Sequence, residues 1–375
     1  MVWGYLQRRQ RSSVSKNKQS YQRRRIPSKV VELGSTISAI LSAYGLDAEQ
    51  FSIHRINSGH INYTFKVEPG YVLQRINKNV FLDPLILAKN LQRASAELKR
   101  KAPDYLFLNV IQSLKGEDLV FDEEGYPWRL FPYIEDTVTI NEVDNSRQAF
   151  AAAKAFGRLS RLLSESKINE FKETIPRFHD LTLRYEHFEH ALEKASAERI
   201  EKSHDLCLGY KRFSYLVTKY QELIASNHMQ LRITHNDTKI NNVLFKKNTD
   251  EVVCVIDLDT LMPGYFIYDL GDMVRTFVSP ASEEETDVTK IEVRSAIYQS
   301  ILDGYLSEMK DVLSPEEQAA IPLAGLMMTF MIGLRFLTDY LNEDVYYQTA
   351  YLDQNLNRAA NQFYLLEKLA SHTNL

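Results

Sequence analysis

The 375-residue sequence predicts an α+β protein with two lobes, because its hydrophobic periodicity changes near residue 134. Before that point, short segments of alternating polar and apolar residues are separated by turn signals such as EPG, which is typical of antiparallel strands. After it, apolar residues recur at helical spacing over long segments. We therefore expect a small, mostly β lobe over residues 31–134 and a mostly helical lobe over residues 135–375.

The N-terminal lobe is expected to be one antiparallel sheet with helices beside it. Helical spacing predicts a helix from Val30 to Tyr44 and another from Pro84 to about Arg100. The predicted strands cover residues 51–56, 63–67, 71–76, 118–122 and 128–133.

The C-terminal lobe is expected to be helical apart from one hairpin. The predicted helices cover residues 145–164, 181–197, 215–225, 290–307, 315–341 and 353–369. Two β-rich runs, Val243–Phe245 and Val252–Ile256, are joined by KNTDE, and this pattern predicts the hairpin.

The net charge of −4 is unevenly distributed. Residues 1–30 carry nine Lys or Arg residues and no acidic residue, so a net charge of −13 remains for residues 31–375. We expect residues 1–30 to be a basic, disordered extension, because their few apolar residues cannot offset the entropy of ordering. A nucleic-acid arm is the alternative, but the acidic body argues against a nucleic-acid partner.

Two further observations bear on location. No apolar run approaches the roughly 20 residues needed to cross a bilayer, so no membrane association is expected. The two cysteines, Cys207 and Cys254, are far apart and have apolar neighbours, which argues against a disulfide scaffold or a thiolate metal site. Both observations fit a reducing compartment, and the cytoplasm is the expected location.

The segment THNDTKINN, residues 234–242, places polar residues between strongly apolar ones. Buried polar groups need partners, since an unpaired one costs several kcal/mol. Asp237, Lys239 and Asn242 have the spacing of the protein-kinase catalytic loop, in which the Asp accepts the proton of the substrate hydroxyl and the Asn binds Mg²⁺. Any one of these residues could merely cap a turn, but together they indicate phosphoryl transfer.

The hairpin that follows predicts a second metal ligand. With its turn centred between Thr249 and Asp250, the facing pairs are Phe245–Cys254, Val243–Ile256 and Asn242–Asp257. Opposed side chains lie about 5 Å apart, so Asn242 and Asp257 would present hard oxygen ligands, which suit Mg²⁺, at one place. A register slip of one residue would remove this pairing.

These segments resemble the aminoglycoside-phosphotransferase-like kinases, and within them most closely the N-acetylhexosamine 1-kinases. The resemblance extends over most of residues 31–365 and is carried by ITHNDTKINNVLF, VIDLDTLMPGYFIYDLGDMVR, INSGHINYTFKV, YVLQRIN, WRLFPYIEDT and GLRFLTDYLNEDVYY. It implies a protein-kinase-like fold with ATP and Mg²⁺ in the cleft. It also implies a small-molecule sugar substrate, GlcNAc or GalNAc, phosphorylated on its anomeric hydroxyl.

The resemblance also implies roles for the catalytic residues. Asp237 is the expected base, and Asn242 and Asp257 are expected to bind Mg²⁺. Lys239 is expected to face the transferred phosphoryl group, with a solvated surface lysine as the alternative. Asp259 has either a role near the metal or a structural one. His235, Asp269 and Asp272 are expected to brace the loop or a helix start.

For the nucleotide, Ser58 and Gly59 are expected to form the loop over the phosphates. The usual strand lysine is missing from YVLQRIN, so Gln74 or Arg75 must replace it. Alternation puts these two on opposite faces, and Arg75 is preferred because a cation is needed. Glu97, on the following helix, could brace this cation, but a helix-surface glutamate is the expected role. Phe131 and Tyr133, at the junction of the lobes, are also assigned to the nucleotide site.

For the sugar, the resemblance implies His60, Arg335 and Tyr346, together with Asp237. Arg335 lies in an apolar run, where an unpaired charge is costly. A salt bridge to Asp339 is therefore the alternative role. Tyr346 or Tyr347 would supply an aromatic face.

Two other functions stay open. The first is the same chemistry on an amino alcohol, homoserine or an aminoglycoside. An aminoglycoside demands an acidic cleft, and the dense acidic segment PASEEETD, residues 280–287, is interpreted as a solvated loop. The second is a pseudokinase without activity, against which the intact Asp237, Asn242 and Asp257 argue. The preferred sugar and the oligomeric state are not predicted.

Overall fold

The structure is a computed structural model that describes residues 28–56 and 61–375. A five-stranded antiparallel sheet lies in the N-terminal part, and the rest of the described chain is mostly helical. The predicted two-lobed α+β architecture is confirmed. The predicted extension, residues 1–30, lies almost entirely outside the described residues.

The N-terminal lobe is built on a sheet with the strand order β1-β2-β3-β5-β4. Its elements are α1 (Ser28–Ala43), β1 (Ser52–Ile56), β2 (Tyr63–Glu68), β3 (Tyr71–Arg75), α2 (Pro84–Lys101), β4 (Val120–Phe121) and β5 (Pro127–Pro132). Helix α1 packs on one face of the sheet against a buried cluster that includes Phe65, Leu73 and Trp128. Helix α2 packs partly on the second lobe, since Leu91 and Leu98 belong to the core of that lobe.

The C-terminal lobe follows after Pro132. Its elements are β6 (Thr137–Val138), α3 (Ser146–Leu163), α4 (Leu181–Lys194), α5 (Ala197–Arg212), α6 (Tyr215–Ala225), β7 (Arg232–Thr234), β8 (Val243–Lys246), β9 (Val252–Val255), β10 (Met262–Gly264), α7 (Phe266–Phe277), α8 (Ser295–Met309), α9 (Pro315–Ala319), α10 (Ile321–Leu341) and α11 (Gln354–Thr373). Helices α5 and α7 were not predicted. In α7 even Asp269, Asp272 and Arg275 are buried, so no polar face reveals the helical period.

Helix α10 is the central helix of this lobe. By length and composition it could cross a membrane, with a mean hydropathy of 1.6, so the expectation that no such apolar run exists is wrong. However, 72% of its most apolar window is buried inside the protein. It packs closely on α7, because a Cβ atom at Gly271 would lie 2.3 Å from the carbonyl oxygen of Ala324. Helix α10 therefore has the surroundings of a core helix.

The hairpin β8–β9 forms, but the predicted register is wrong by one residue. The observed pairs are Val243–Val255, Leu244–Cys254 and Phe245–Val252. An irregularity between Leu244 and Phe245 shifts the register, which a count from the turn cannot reveal. The amide of Ile256 donates to the carbonyl of Asn242 at 2.9 Å, so Ile256, and not Asp257, lies opposite Asn242.

Candidate active site

The loop after β7 is anchored by Asp269, which lies in the first turn of α7. Its carboxylate, which is fully buried, accepts hydrogen bonds from the amides of His235 at 3.0 Å and Asn236 at 2.7 Å. Asn236 has a φ of 65°, a backbone conformation in which Asn is enriched. These bonds turn the chain sharply and direct Asp237 into the cleft between the lobes.

Two histidines fix the same loop. The Nε2 atom of His235 lies 2.9 Å from the carbonyl of Ile256, and its Nδ1 atom accepts the amide of Asp237 at 3.2 Å. His179, which the sequence analysis missed, is buried with Nε2 at 2.7 Å from the carbonyl of Asn236. Burial lowers the pKa of His179 to about 3, so it is neutral and donates from Nε2.

The side chains of Asp237 and Lys239 lie next to each other in this loop. Lys239 Nζ is 3.4 Å from Asp237 Oδ1, and the Asp237 side chain is 27% exposed. Burial acts to raise the pKa of Asp237, but Lys239 and other neighbours outweigh it and leave this pKa below its ordinary value. The carboxylate is thus ionised at neutral pH and can accept a hydrogen bond from an alcohol.

Asn242 and Asp257 lie beside Asp237 despite the shifted register. Asn242 Nδ2 donates to the carbonyl of Asp237 at 2.8 Å and to its Oδ2 at 3.1 Å, which leaves Asn242 Oδ1 facing elsewhere. Asp257 has a φ of 56°. Asp257 is exposed; desolvation of its carboxylate by the surrounding protein, and then the carboxylates of Asp259 and Asp237, raise its pKa above the ordinary value.

These donors fit a hard divalent cation. A carboxylate beside two others is stabilised by a positive charge, and Asn242 and Asp257 offer oxygen ligands that suit Mg²⁺. Within the described ranges, no group of three or more His, Cys, Asp or Glu residues is arranged to hold a metal. A cation here would therefore need further oxygen ligands from a nucleotide or from water.

Asp259 points away from this place, toward the N-terminal lobe. Its Oδ1 atom is 2.6 Å from Arg129 Nη2 on β5, and its Oδ2 atom accepts Asn62 Nδ2 at 2.7 Å. Arg129 also donates to Gln74 Oε1, from Nε at 3.1 Å and from Nη2 at 2.8 Å. Arg129 was not predicted as a site residue, because an arginine in a strand has no distinctive spacing.

The structure contradicts the preference for Arg75 as the replacement for the strand lysine. Arg75 packs between the rings of Tyr63 and Tyr126, at 4.5 and 4.4 Å, on the face opposite Gln74. Gln74 lies on the side of Asp259. Glu97 pairs with Arg100 and Lys101 at the surface and braces neither residue.

Other residues assigned to the nucleotide are placed as follows. Phe131 is buried, with its ring 5.0 Å from the Arg129 guanidinium, and Tyr133 lies 4.5 Å from Lys66 Nζ. Ser58, Gly59 and His60 lie outside the described residues.

Arg335 of α10 lies in a box of aromatic rings. Its guanidinium carbon is 5.0 Å from the ring of Phe178 and 5.8 Å from the rings of Tyr346 and Tyr347. One Nη atom lies 3.5 Å from the Tyr346 hydroxyl. Within the described part of the chain, Arg335 pairs with no carboxylate.

The alternative salt bridge between Arg335 and Asp339 is absent. The Asp339 carboxylate instead accepts the amides of Tyr346 at 2.7 Å and Tyr347 at 2.9 Å, and Asn355 Nδ2 at 2.9 Å. Asp339 therefore holds the chain that carries the two tyrosines, while Arg335 keeps its donors for another partner.

A second arginine, Arg184 of α4, lies near this box and was not predicted. Its Nη2 atom donates to the carbonyls of Arg177 and Phe178, and its buried Nε has no hydrogen-bond partner among the described residues. Burial and the charge of Arg335 lower the pKa of Arg184 to about 10. Within the described residues, Arg184 and Arg335 make no salt bridge, although the charge of Asp180 acts on Arg184.

The acidic segment 280–287 is a loop in which most residues are exposed, as interpreted, and its glutamates pair with cations of the protein itself. Glu283 lies 2.9 Å from Arg275, and Glu285 lies 2.8 Å from Lys290. Glu284 pairs with Arg358 of α11. Because the protein's own cations neutralise these glutamates, the segment does not offer an acidic cleft for a polycation.

The sequence profile of APH, the phosphotransferase enzyme family, matches residues 52–298, which is more than half of the chain. The chain belongs to this family. A microcompartment-associated aminopropanol kinase aligns with a TM-score of 0.60 and 15% identity, covering 92% of this chain and 99% of that one. An amicoumacin kinase bound to AMP-PNP, Ca²⁺ and Ami aligns with a TM-score of 0.57 and 15% identity, covering 91% and 96%.

A choline/ethanolamine kinase family protein from Mesorhizobium loti also aligns, with a TM-score of 0.57, 16% identity and coverage of 91% and 94%. At these identities the alignments show a shared fold. The predicted resemblance to aminoglycoside-phosphotransferase-like kinases is confirmed at the level of this phosphotransferase family. The narrower likeness to N-acetylhexosamine 1-kinases stays a prediction.

Proposed function

We propose that this phosphotransferase transfers the γ-phosphoryl group of ATP to the anomeric hydroxyl of an N-acetylhexosamine such as GlcNAc or GalNAc. The products are the sugar 1-phosphate and ADP. The observation that carries the choice of acceptor is the Arg335 guanidinium, which lies in an aromatic box and has no carboxylate partner among the residues that the structure describes.

Asp237 is proposed to take the proton of the acceptor hydroxyl. Its carboxylate is held by Asn242 and is partly exposed to the cleft, as this role requires. Phosphoryl transfer needs positioning and charge stabilisation more than a strong base, so a lowered pKa does not oppose the role. Lys239, 3.4 Å from Asp237, is proposed to face the transferred phosphoryl group.

The nucleotide is proposed to lie between Asp257 and the sheet of the N-terminal lobe. Asn242 and Asp257 would hold Mg²⁺, which neutralises charge on the phosphates when bound. Ser58 and Gly59 stay assigned to the phosphate loop, Gln74 to the phosphate side, and Phe131 and Tyr133 to the base side.

The acceptor side favours a neutral, oxygen-rich substrate over a cationic one. Arg335 and Arg184 form no ion pair within the described residues, and the Tyr346 hydroxyl lies beside Arg335. Guanidinium groups donate several directed hydrogen bonds to oxygen atoms, whereas an ammonium group would be repelled. This arrangement supports His60, Arg335 and Tyr346 as sugar-binding residues. It argues against choline, aminopropanol or an aminoglycoside as the acceptor.

The experiment is an ADP-release screen of GlcNAc, GalNAc, glucosamine, aminopropanol, choline, homoserine and kanamycin. An N-acetylhexosamine should exceed every cationic acceptor in kcat/KM by at least about tenfold, which corresponds to 1.4 kcal/mol of charge repulsion. The product should lack a reducing end, because its anomeric oxygen carries the phosphate. The matched control is 1,5-anhydro-GlcNAc, which has no anomeric hydroxyl and should not react. Turnover of a cationic acceptor without turnover of either sugar would overturn the proposal.

We also propose a cytoplasmic location. Cys207 and Cys254 are both buried, free thiols, which supports a reducing compartment.

A further inference from the structure

On the proposed nucleotide side of the cleft, the buried positive charge comes from Arg129 of β5 and not from a residue of β3. In protein kinases a lysine of the third strand pairs with a glutamate of the following helix, and this pair must be in place for activity. Here Gln74 takes the position on β3 that faces Asp259, and Glu97 of α2 is paired at the surface. Neither member of that ion pair is at its usual position.

Arg129 occupies the place next to Gln74. The two residues lie directly opposite each other in the β3–β5 ladder. The guanidinium donates twice to Gln74 Oε1 and lies 2.6 Å from Asp259 Oδ1, and the Arg129 and Asp259 side chains are each only 3% exposed. A buried ion pair therefore joins the sheet of the N-terminal lobe to the C-terminal lobe.

The N-terminal lobe binds Asp259 a second time. Asn62 Nδ2 donates to Asp259 Oδ2 at 2.7 Å, and Asn62 Oδ1 accepts the amide of Asn77 at 3.0 Å. Asp259 Oδ2 thus accepts a hydrogen bond from the sheet side of the cleft, whereas Oδ1 lies in ion-pair contact with Arg129 and accepts no hydrogen bond among the described residues. Asn62 and Arg129 together hold the Asp259 side chain on the sheet side.

Asp257 directly precedes the turn that contains Asp259. Asp257 has the left-handed backbone angles φ 56° and ψ 55°, and residues 258–260 form a single 3₁₀ turn directly after it. A residue in this conformation depends on the surrounding structure to keep it there. The orientation of Asp257 therefore depends on where Asp259, two residues later, is fixed.

We propose that Arg129 is the positioning residue that replaces the missing strand lysine. Its pair with Asp259 holds the turn at residues 257–260 against the N-terminal lobe and so orients Asp257 toward Mg²⁺-ATP. The inference rests on the proposed nucleotide and metal site, but not on the identity of the acceptor. A buried ion pair adds little net stability, because desolvation offsets the attraction, so its main contribution here is geometry.

The test is a calorimetric titration of Mg²⁺-ATP into variants of the full chain, with melting temperatures measured in parallel. Arg129→Met should weaken Mg²⁺-ATP binding by at least about tenfold, but it also leaves Asp259 buried and unpaired and should lower the melting temperature. The double variant Arg129→Met/Asp259→Asn removes both charges. It should recover most of the melting temperature while its Mg²⁺-ATP affinity stays low.

Two controls separate orientation of the metal ligand from a purely structural role. Arg75→Met removes a cation one position from Gln74 but on the opposite face of the sheet, and it should leave Mg²⁺-ATP affinity unchanged. Titration of ATP in EDTA should show the same weak affinity for the wild type and the double variant, because only the metal-dependent part depends on Asp257.

A double variant with wild-type Mg²⁺-ATP affinity would overturn the inference, and so would an equal loss in Arg75→Met. The titration contains no sugar, so an error in the proposed acceptor does not affect it. If the wild-type protein itself does not bind Mg²⁺-ATP, both the proposed function and this inference are refuted.

Discussion

Two arginines mark the two sides of the cleft, and the protein holds them in opposite ways. Arg129 is almost fully buried and pairs with Asp259 at 2.6 Å. Arg335 lies among Phe178, Tyr346 and Tyr347 and pairs with no carboxylate in the described chain. A guanidinium with a counter-charge completes the protein's own structure, whereas one without a counter-charge has donors for a ligand. On the proposed nucleotide side the protein itself satisfies the guanidinium, whereas on the proposed acceptor side the guanidinium keeps donors for a substrate.

The largest effect is expected at Asp237, which lies between the two sides. Asp237→Asn should lower turnover by about 10²–10⁴-fold, the usual contribution of a general base. The affinities for Mg²⁺-ATP and for the sugar should stay close to wild type, because the shape of both sides is kept. Steady-state kinetics and calorimetry measure the two quantities. A variant that keeps more than about a tenth of wild-type turnover would refute the role of Asp237 as the base.

A change on the nucleotide side alone should separate binding from stability. Asp257→Ala should weaken Mg²⁺-ATP binding by at least about tenfold, since a charged ligand is lost, and Asn242→Ala should do so less. The melting temperature of the free protein should not fall, because the neighbouring carboxylates of Asp259 and Asp237 repel the Asp257 carboxylate. Unchanged Mg²⁺-ATP affinity in Asp257→Ala would remove this residue from the metal site.

A change on the acceptor side should affect the sugar alone. Arg335→Ala should raise the sugar KM about tenfold or more, the loss expected for a hydrogen bond to a charged group. It should leave the ATP KM and the melting temperature nearly unchanged, since no carboxylate loses its partner. Arg335→Lys should rescue poorly because an ammonium lacks the planar set of donors. A destabilised variant with a normal sugar KM would show that Arg335 has a structural role.

At neutral pH the smallest effect is expected for His179, whose Nε2 lies 2.7 Å from the carbonyl of Asn236 in the loop. Its pKa is about 3 in the folded protein and ordinarily 6.5, so the unfolded chain binds more protons between these values. Stability should therefore fall by up to about 1.4 kcal/mol per pH unit below pH 6.5. His179→Gln can still donate to Asn236 and should lose this part of the pH dependence. The exposed His204→Gln is the control and should keep it.

The sequence predicted those parts of the molecule that depend on local pattern. The order of strands and helices in the N-terminal lobe followed from alternation and turn signals, and the catalytic-loop spacing brought Asp237, Lys239 and Asn242 together. Asp257 lies near them as well, although the argument from the hairpin register was wrong. The loop leading out of β9 brings it there.

The remaining features depend on contacts that spacing does not record. The irregularity at Leu244 and Phe245 shifts the register by one residue. Arg129 acquires its partner from residue 259, far along the chain, and His179 lies next to Asn236 only after α4 has packed. The helical periodicity of α7 cannot be recognised in the sequence, because its polar residues are as buried as its apolar ones.

The pair of Arg129 and Asp259 also has a consequence for movement of the lobes. The polypeptide passes from one lobe to the other between Pro132 and Thr137, where a hinge rotation would open the cleft. Such a rotation would pull Arg129 away from Asp259 and admit water to both charges, so it would exchange the ion pair for hydration at little net cost. The pair therefore defines the position of the closed lobes without locking them, and opening of the cleft for nucleotide exchange stays compatible with it.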